Sequence, residues 1–343
     1  MGNDIPIGEV LHLIEKEADR EALRQGKKRQ ENVWERREPD YLPILISQTM
    51  PERSGLPSYD LKQQFFDPQK MLYEQLWLAL GSLRTKTDAV PSVRVNFGVG
   101  FLASVFGLNQ EVFPDKMPWL RRHLSMRKIA KMSLDDFEPV SEKGLLPAFR
   151  RYLNVYQNYL KDSPVRIYLP DTQGPFDSAH LVMGDSIFGE FHRNPQSILH
   201  LLSLTSHVYR ESTFLLKSLI GEPLNEGYHS CNLRMSHCGV RCCEDSTTLL
   251  SPKLAELTIP DLRNAIGSFH SWIHFCGDGR HILKLFLSLR EVEGINLGNP
   301  EKHDWETTMK EIIAARKVYY GEAYRRENES LSEYFKRILS PLE

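Results

Sequence analysis

Short apolar segments rich in β-branched and aromatic residues alternate along this chain with longer segments of helical period, and no other feature restricts the fold as strongly. Residues 42–46, 93–97, 165–169, 271–276 and 292–297 read as strands, with 239–243 and 318–320 as weaker ones. Between them run amphipathic stripes. Leu72, Leu76, Ala79, Leu80 and Leu83 make one, and Ile198, Leu201, Leu202, Val208, Tyr209, Leu215, Leu216 and Leu219 a longer one. Ser251 followed by Pro252 is an N-cap with proline at the first helical position, and Pro260 is expected to kink or interrupt the helix it starts. Leu331, Tyr334, Phe335, Ile338 and Leu339 share the face of a last helix. Strands separated by helices of this length imply right-handed βαβ units and a parallel sheet.

An open doubly wound sheet and a closed barrel both obey that rule. A dinucleotide site would show G-x-G-x-x-G after an early strand, and a phosphate loop G-x-x-x-x-G-K-[ST]; the chain has neither. Gly98-Val99-Gly100 lacks the third glycine and reads as a tight turn. About seven strands over some 300 residues suit an α/β fold of the (β/α)8 TIM-barrel type, whose loops after the strands carry the site. The expected division is a charged helical amino-terminal arm over 1–40, exposed and without visible chemistry, and a barrel over 41–343.

Charge and cysteine usage narrow the function classes. The 43 basic and 45 acidic residues are interspersed and leave a net charge of -2, so no broad field is available to hold nucleic acid. No stretch approaches the roughly 18 apolar residues of a membrane span, and residues 1–10 lack the basic and apolar regions of a secretory signal. A cytoplasmic protein is expected. Five cysteines, at 231, 238, 242, 243 and 276, are an odd set that suits free thiols or metal ligation better than a disulfide framework.

The chemistry-bearing residues gather where strands end. His274-Phe275-Cys276-Gly277 closes an apolar run, and in an extended strand residues i and i+2 face the same way, so imidazole and thiol can meet one metal ion or one substrate. The competing reading is a pair of buried, hydrogen-bonded strand residues. Asp171 and Gln173 follow the strand at 165–169, where they can bind substrate polar groups or shape the turn. Asp245, after 239–243, is a site residue or a loop anchor. His229-Ser230-Cys231, His237, Cys238, Cys242 and Cys243 supply zinc-type ligands at spacings that match no standard C-x2-C pairing, so buried thiols compete with a small zinc knot.

Four stretches in order resemble the uroporphyrinogen decarboxylase superfamily, which includes cobalamin-dependent methyltransferases. They are Asp171-Thr172-Gln173-Gly174-Pro175-Phe176, then Glu244-Asp245-Ser246 with Leu250-Ser251-Pro252, then His274-Phe275-Cys276-Gly277, and finally 294–300. The resemblance implies a single (β/α)8 barrel. In the methyltransferase branch it implies that His274 and Cys276 bind zinc (Zn2+) with a further cysteine near the last strand. No cysteine follows Cys276, which leaves Glu322, Glu327, Glu329, His303 or one of the earlier cysteines as the third ligand. In the decarboxylase branch it implies an amino-terminal arginine motif that holds tetrapyrrole carboxylates. The nearest match, Trp34-Glu35-Arg36-Arg37-Glu38-Pro39-Asp40-Tyr41-Leu42-Pro43, lacks the motif's arginine-rich core.

The expected function is therefore a zinc-dependent methyltransferase moving a methyl group from a corrinoid protein to a thiol or related small molecule, with Asp171, Gln173 and Asp245 beside the substrate. Alternatives are a metal-independent decarboxylase of a porphyrinogen or other carboxylated small molecule, and a catalytically silent corrinoid- or tetrapyrrole-binding protein. A monomer or homodimer is expected.

Overall fold

The computed structural model describes residues 5–46, 50–53, 55–230 and 232–342. Six short strands run parallel: β1 (Ser92–Arg94), β2 (Arg166–Tyr168), β3 (Val240–Cys243), β4 (Ser271–Phe275), β5 (Val292–Leu297) and β6 (Val318–Tyr319). β1 pairs with β2, and β3 to β6 form a second sheet in the order β6-β5-β4-β3. A single parallel bridge between Gln173 and Cys243 connects the two.

The helices that frame the sheets and the site are α1 (Ile7–Glu17), α2 (Arg20–Trp34), α3 (Pro68–Arg84), α4 (Leu146–Leu160), α5 (Pro175–Met183), α6 (Pro195–Ile220), α7 (Pro252–Ile266), α8 (Arg280–Leu287), α9 (Trp305–Ala314) and α10 (Leu331–Leu339), with shorter helices at Leu61–Phe66, Met126–Ile129 and Ser186–Arg193. Their apolar stripes are buried: Leu72, Leu76, Ala79 and Leu80 of α3 and Ile198, Leu201, Leu202, Val208 and Tyr209 of α6 lie in the main core, as their spacing predicts. Ser251 caps α7 by accepting the Leu254 N–H. The expected break at Pro260 does not occur. Buried Ala255, Leu262, Ala265 and Ile266 hold one continuous helix across it.

The closed eight-stranded barrel does not form: among the described residues no ladder returns from β6 to β1. One expected strand, 42–46, pairs with neither. Ile44 instead exchanges bonds with Asp88 alone, its N–H to the carboxylate at 3.0 Å and its C=O from the Asp88 N–H at 3.1 Å, while Leu42, Ile44 and Ile46 stay half-exposed. The edge of β1 is satisfied otherwise. Arg94 N–H donates to the Gln75 side chain, and Val90 N–H, just before the strand, to the Asn232 carbonyl.

The amino-terminal helices are packed rather than projecting. Ile7, Val10 and Ile14 of α1 are buried against α3. Trp34, at the end of α2, joins a second core with Leu233, Met235, Cys238, Trp272, Val318 and Tyr320. Its ring stacks on Tyr320 at 5.3 Å and its indole N–H donates to the Arg234 carbonyl at 2.8 Å. The antiparallel hairpin over 227–235 stands against this core. No helix among the described residues is long and apolar enough to cross a membrane.

Candidate metal centre

The register of the larger sheet aligns Cys243, His274 and Asn296 in one row across β3, β4 and β5. Just past the row, β3 runs into Glu244 and Asp245, and β4 into Cys276. The ladder continues one step beyond the strands through Glu244 N–H to the His274 carbonyl at 2.8 Å. Asp245 and Cys276, 31 residues apart in sequence, thereby meet: the Cys276 N–H donates to Asp245 Oδ1 at 2.7 Å. His274 Nε2 lies 3.4 Å from Cys276 Sγ and 3.5 Å from Asp245 Oδ1. One ligand atom each from Asp245, His274 and Cys276 falls within 4.8 Å of the other two.

A hydrogen-bond chain settles the role of each imidazole nitrogen. The Asn296 amide donates to the Tyr320 carbonyl at 2.9 Å, which turns its oxygen toward His274 Nδ1. Nδ1 therefore carries the proton and donates to that oxygen, leaving the Nε2 lone pair toward Cys276 and Asp245. Burial, with the charge of Arg241 nearby, holds the His274 imidazole down at about 4, so the ring is neutral near pH 7. Burial and the Asp245 carboxylate push the Cys276 thiol up to about 11. A neutral imidazole, an unionised thiol and a carboxylate form a cluster with no cation of its own.

This donor set suits a zinc-type ion. Imidazole nitrogen, thiolate sulfur and carboxylate oxygen are all zinc ligands, and a bound cation reverses the forces that keep the thiol protonated. Space beside the ligands is kept by Gly298, where a Cβ would stand 2.5 Å from Cys276 Sγ and 2.9 Å from His274 Cε1. His274 is buried, Asp245 partly buried, and Cys276 opens to the surface.

The other residues read from the sequence fall outside this cluster. Asp171 and Gln173 lie together, the Gln173 amide donating to Asp171 Oδ1 at 2.9 Å and Arg94 pairing with Asp171 Oδ2 at 3.4 Å. With Thr172, His229 and Arg241, Asp171 lines a cavity of only about 10 Å3. Cys238, Cys242 and Cys243 are buried thiols that burial pushes well above the ordinary value. His229 sits between the rings of Tyr168 and Trp272. Cys231 lies outside the described residues, and among those residues no zinc knot forms. His303 and the carboxylates after Cys276 do not join the cluster; Asp245, expected beside substrate, takes the third corner. Sequence reading passed over Asn296 and Gly298, although both stand inside the 294–300 stretch.

No family model and no curated protein matches the chain. Among solved structures, a methyltransferase from Methanosarcina mazei superposes with a TM-score of 0.64 over 92% of this chain and 90% of that one, at 12% sequence identity. The two chains share a fold.

Proposed function

We propose that this chain is a methyltransferase-like enzyme that holds zinc through Asp245, His274 and Cys276 and moves a methyl group from a corrinoid protein to a thiol or related small-molecule acceptor. One observation carries the reading: N, S and O ligand atoms converge within 4.8 Å at the carboxyl ends of two neighbouring parallel strands, where enzymes of parallel α/β architecture place their chemistry. Three protein ligands leave a fourth position free, as catalytic zinc sites do. Bound there, zinc supplies the positive charge that keeps an acceptor thiol ionised near pH 7. The protein's own groups prepare for this. Asn296 fixes the ring of His274 and the Cys276 N–H anchors one oxygen of Asp245, and Cys276 would hold the cation as thiolate, its proton passing to solvent at the exposed sulfur.

The decarboxylase alternative loses support from the placement of its arginine motif. Arg36 pairs with Glu293 at 2.6 Å and donates to the Arg316 carbonyl, while Arg37 pairs with Glu35. Glu293 opens β5, at the end of the strand opposite the His274 cluster, so these guanidinium groups are engaged far from the strand tips.

A second reading uses the same residues without metal. Cys276 Sγ, His274 Nε2 and Asn296 on Nδ1 have the order of a Cys-His-Asn nucleophile. Burial opposes it, because it raises the thiol and lowers the imidazole where a thiolate–imidazolium pair needs the reverse. Elemental analysis of protein purified without chelator separates the two. About one zinc per chain is expected, as for a single three-ligand site, with loss in His274→Ala and Cys276→Ala; a metal-free wild type whose Cys276 alkylates rapidly would overturn the metal reading.

A further inference from the structure

Two side chains of α5 grip the loop that carries Asp245. Asp177 and His180 are three residues apart and so share one face of that helix. The Asp177 carboxylate, 3% exposed, accepts the Asp245 N–H at 2.8 Å on one oxygen and the Ser246 N–H at 2.6 Å on the other. His180 Nδ1 hydrogen-bonds Ser246 Oγ at 2.8 Å, and its Nε2 meets Asp185 Oδ1 at 2.9 Å. On the inner side of the loop, the buried Glu244 carboxylate accepts the Thr247 hydroxyl at 2.5 Å.

The arrangement is expensive. Two buried carboxylates stand side by side, and among the described residues neither pairs with a lysine, arginine or histidine. Buried acids without a counter-charge are destabilising, so their place calls for a return elsewhere. The return is geometric. Two hydrogen bonds to successive backbone N–H groups set the direction of the loop at 245–246, and that direction brings Asp245 Oδ1 to 3.5 Å from His274 Nε2 and 2.7 Å from the Cys276 N–H.

We infer that Asp177 is a positioning residue of the metal centre: through the backbone of Asp245 and Ser246 it holds the Asp245 carboxylate in place before the cation arrives. The inference rests on the metal reading of the Asp245–His274–Cys276 cluster. Asparagine in place of Asp177 keeps the shape and one accepting oxygen, and leaves one loop N–H facing a donor. Outer partners of metal ligands commonly contribute 10- to 100-fold in affinity, so a loss of about that size is expected in Asp177→Asn, and a smaller one in His180→Phe, which deletes the link to Ser246 together with the pair to the exposed Asp185.

The test is metal binding by metal-stripped full-length protein. Zn2+ is titrated against a chromophoric chelator, Co2+ is followed by its visible spectrum, and unfolding is measured without metal. Asp177→Asn is expected to weaken Zn2+ about 10- to 100-fold and to alter the Co2+ spectrum while the metal-free protein still unfolds cooperatively. Wild type that takes up no metal would sink the metal reading itself. Wild type that binds, with Asp177→Asn binding equally well and giving an unchanged Co2+ spectrum, would overturn the positioning role alone. Should Asp177→Asn not fold, His180→Phe decides: a loss of about threefold or more supports the clamp, and parity overturns it.

Discussion

The proton on His274 sits on Nδ1 because of a backbone carbonyl two steps away. Tyr320 C=O orients Asn296, Asn296 orients the imidazole, and the imidazole turns Nε2 toward Cys276. At this scale the tightest constraint is Gly298. A methyl group there would stand 2.5 Å from the Cys276 sulfur, closer than unbonded atoms approach, so the sulfur must move or the loop must shift. Gly298→Ala is expected to lower Zn2+ affinity about tenfold, by analogy with other changes that misplace ligands, with little change in the unfolding of the metal-free protein. Chelator competition and a thermal melt on the same sample check both halves. Equal affinity would show that the space beside Cys276 does not matter to the site.

At the scale of elements, the strands and helices were largely legible. The strands expected at 292–297 and 239–243 form at 292–297 and 240–243. The run at 42–46, Leu-Pro-Ile-Leu-Ile, is more apolar and forms no strand: Pro43 has no N–H to give a ladder, and the Arg94 N–H of β1 donates to the Gln75 side chain instead. Pro260 does not interrupt α7, its missing N–H being outweighed by the packing of the helix on either side. The neighbouring Asp261 gives a pH-dependent prediction. Burial raises its carboxyl from the ordinary 3.8 to about 6. The folded state therefore binds that proton more tightly than the unfolded one, and stability falls as pH rises from about 4 through about 6. Asp261→Asn is expected to stabilise the protein at pH 7 by about 1–2 kcal/mol, allowing for partial solvent screening, with the gain vanishing near pH 4. Melting curves at both pH values measure it; a gain that persists unchanged at pH 4 would assign the effect to something other than ionisation.

At the scale of the whole molecule, the amino-terminal helices complete a core instead of trailing from it. Trp34 is fully buried, stacked on Tyr320 and bonded to the Arg234 carbonyl. Trp34→Ala is expected to cost about 3–5 kcal/mol, the range for a buried tryptophan; a denaturant midpoint close to wild type would show the helix to be dispensable. By itself the sequence determined the alternation of strand and helix, the apolar faces, and the same-side pair His274 and Cys276, because each depends on periods of two or about four residues along one segment. Only the tertiary structure decided that the sheets stay unclosed, that the Trp34 arginines lie away from the strand tips, and that Asp245 completes the cluster. Those outcomes depend on which strands become neighbours and in what register, and parallel pairing joins residues tens of positions apart without leaving a local pattern in the chain.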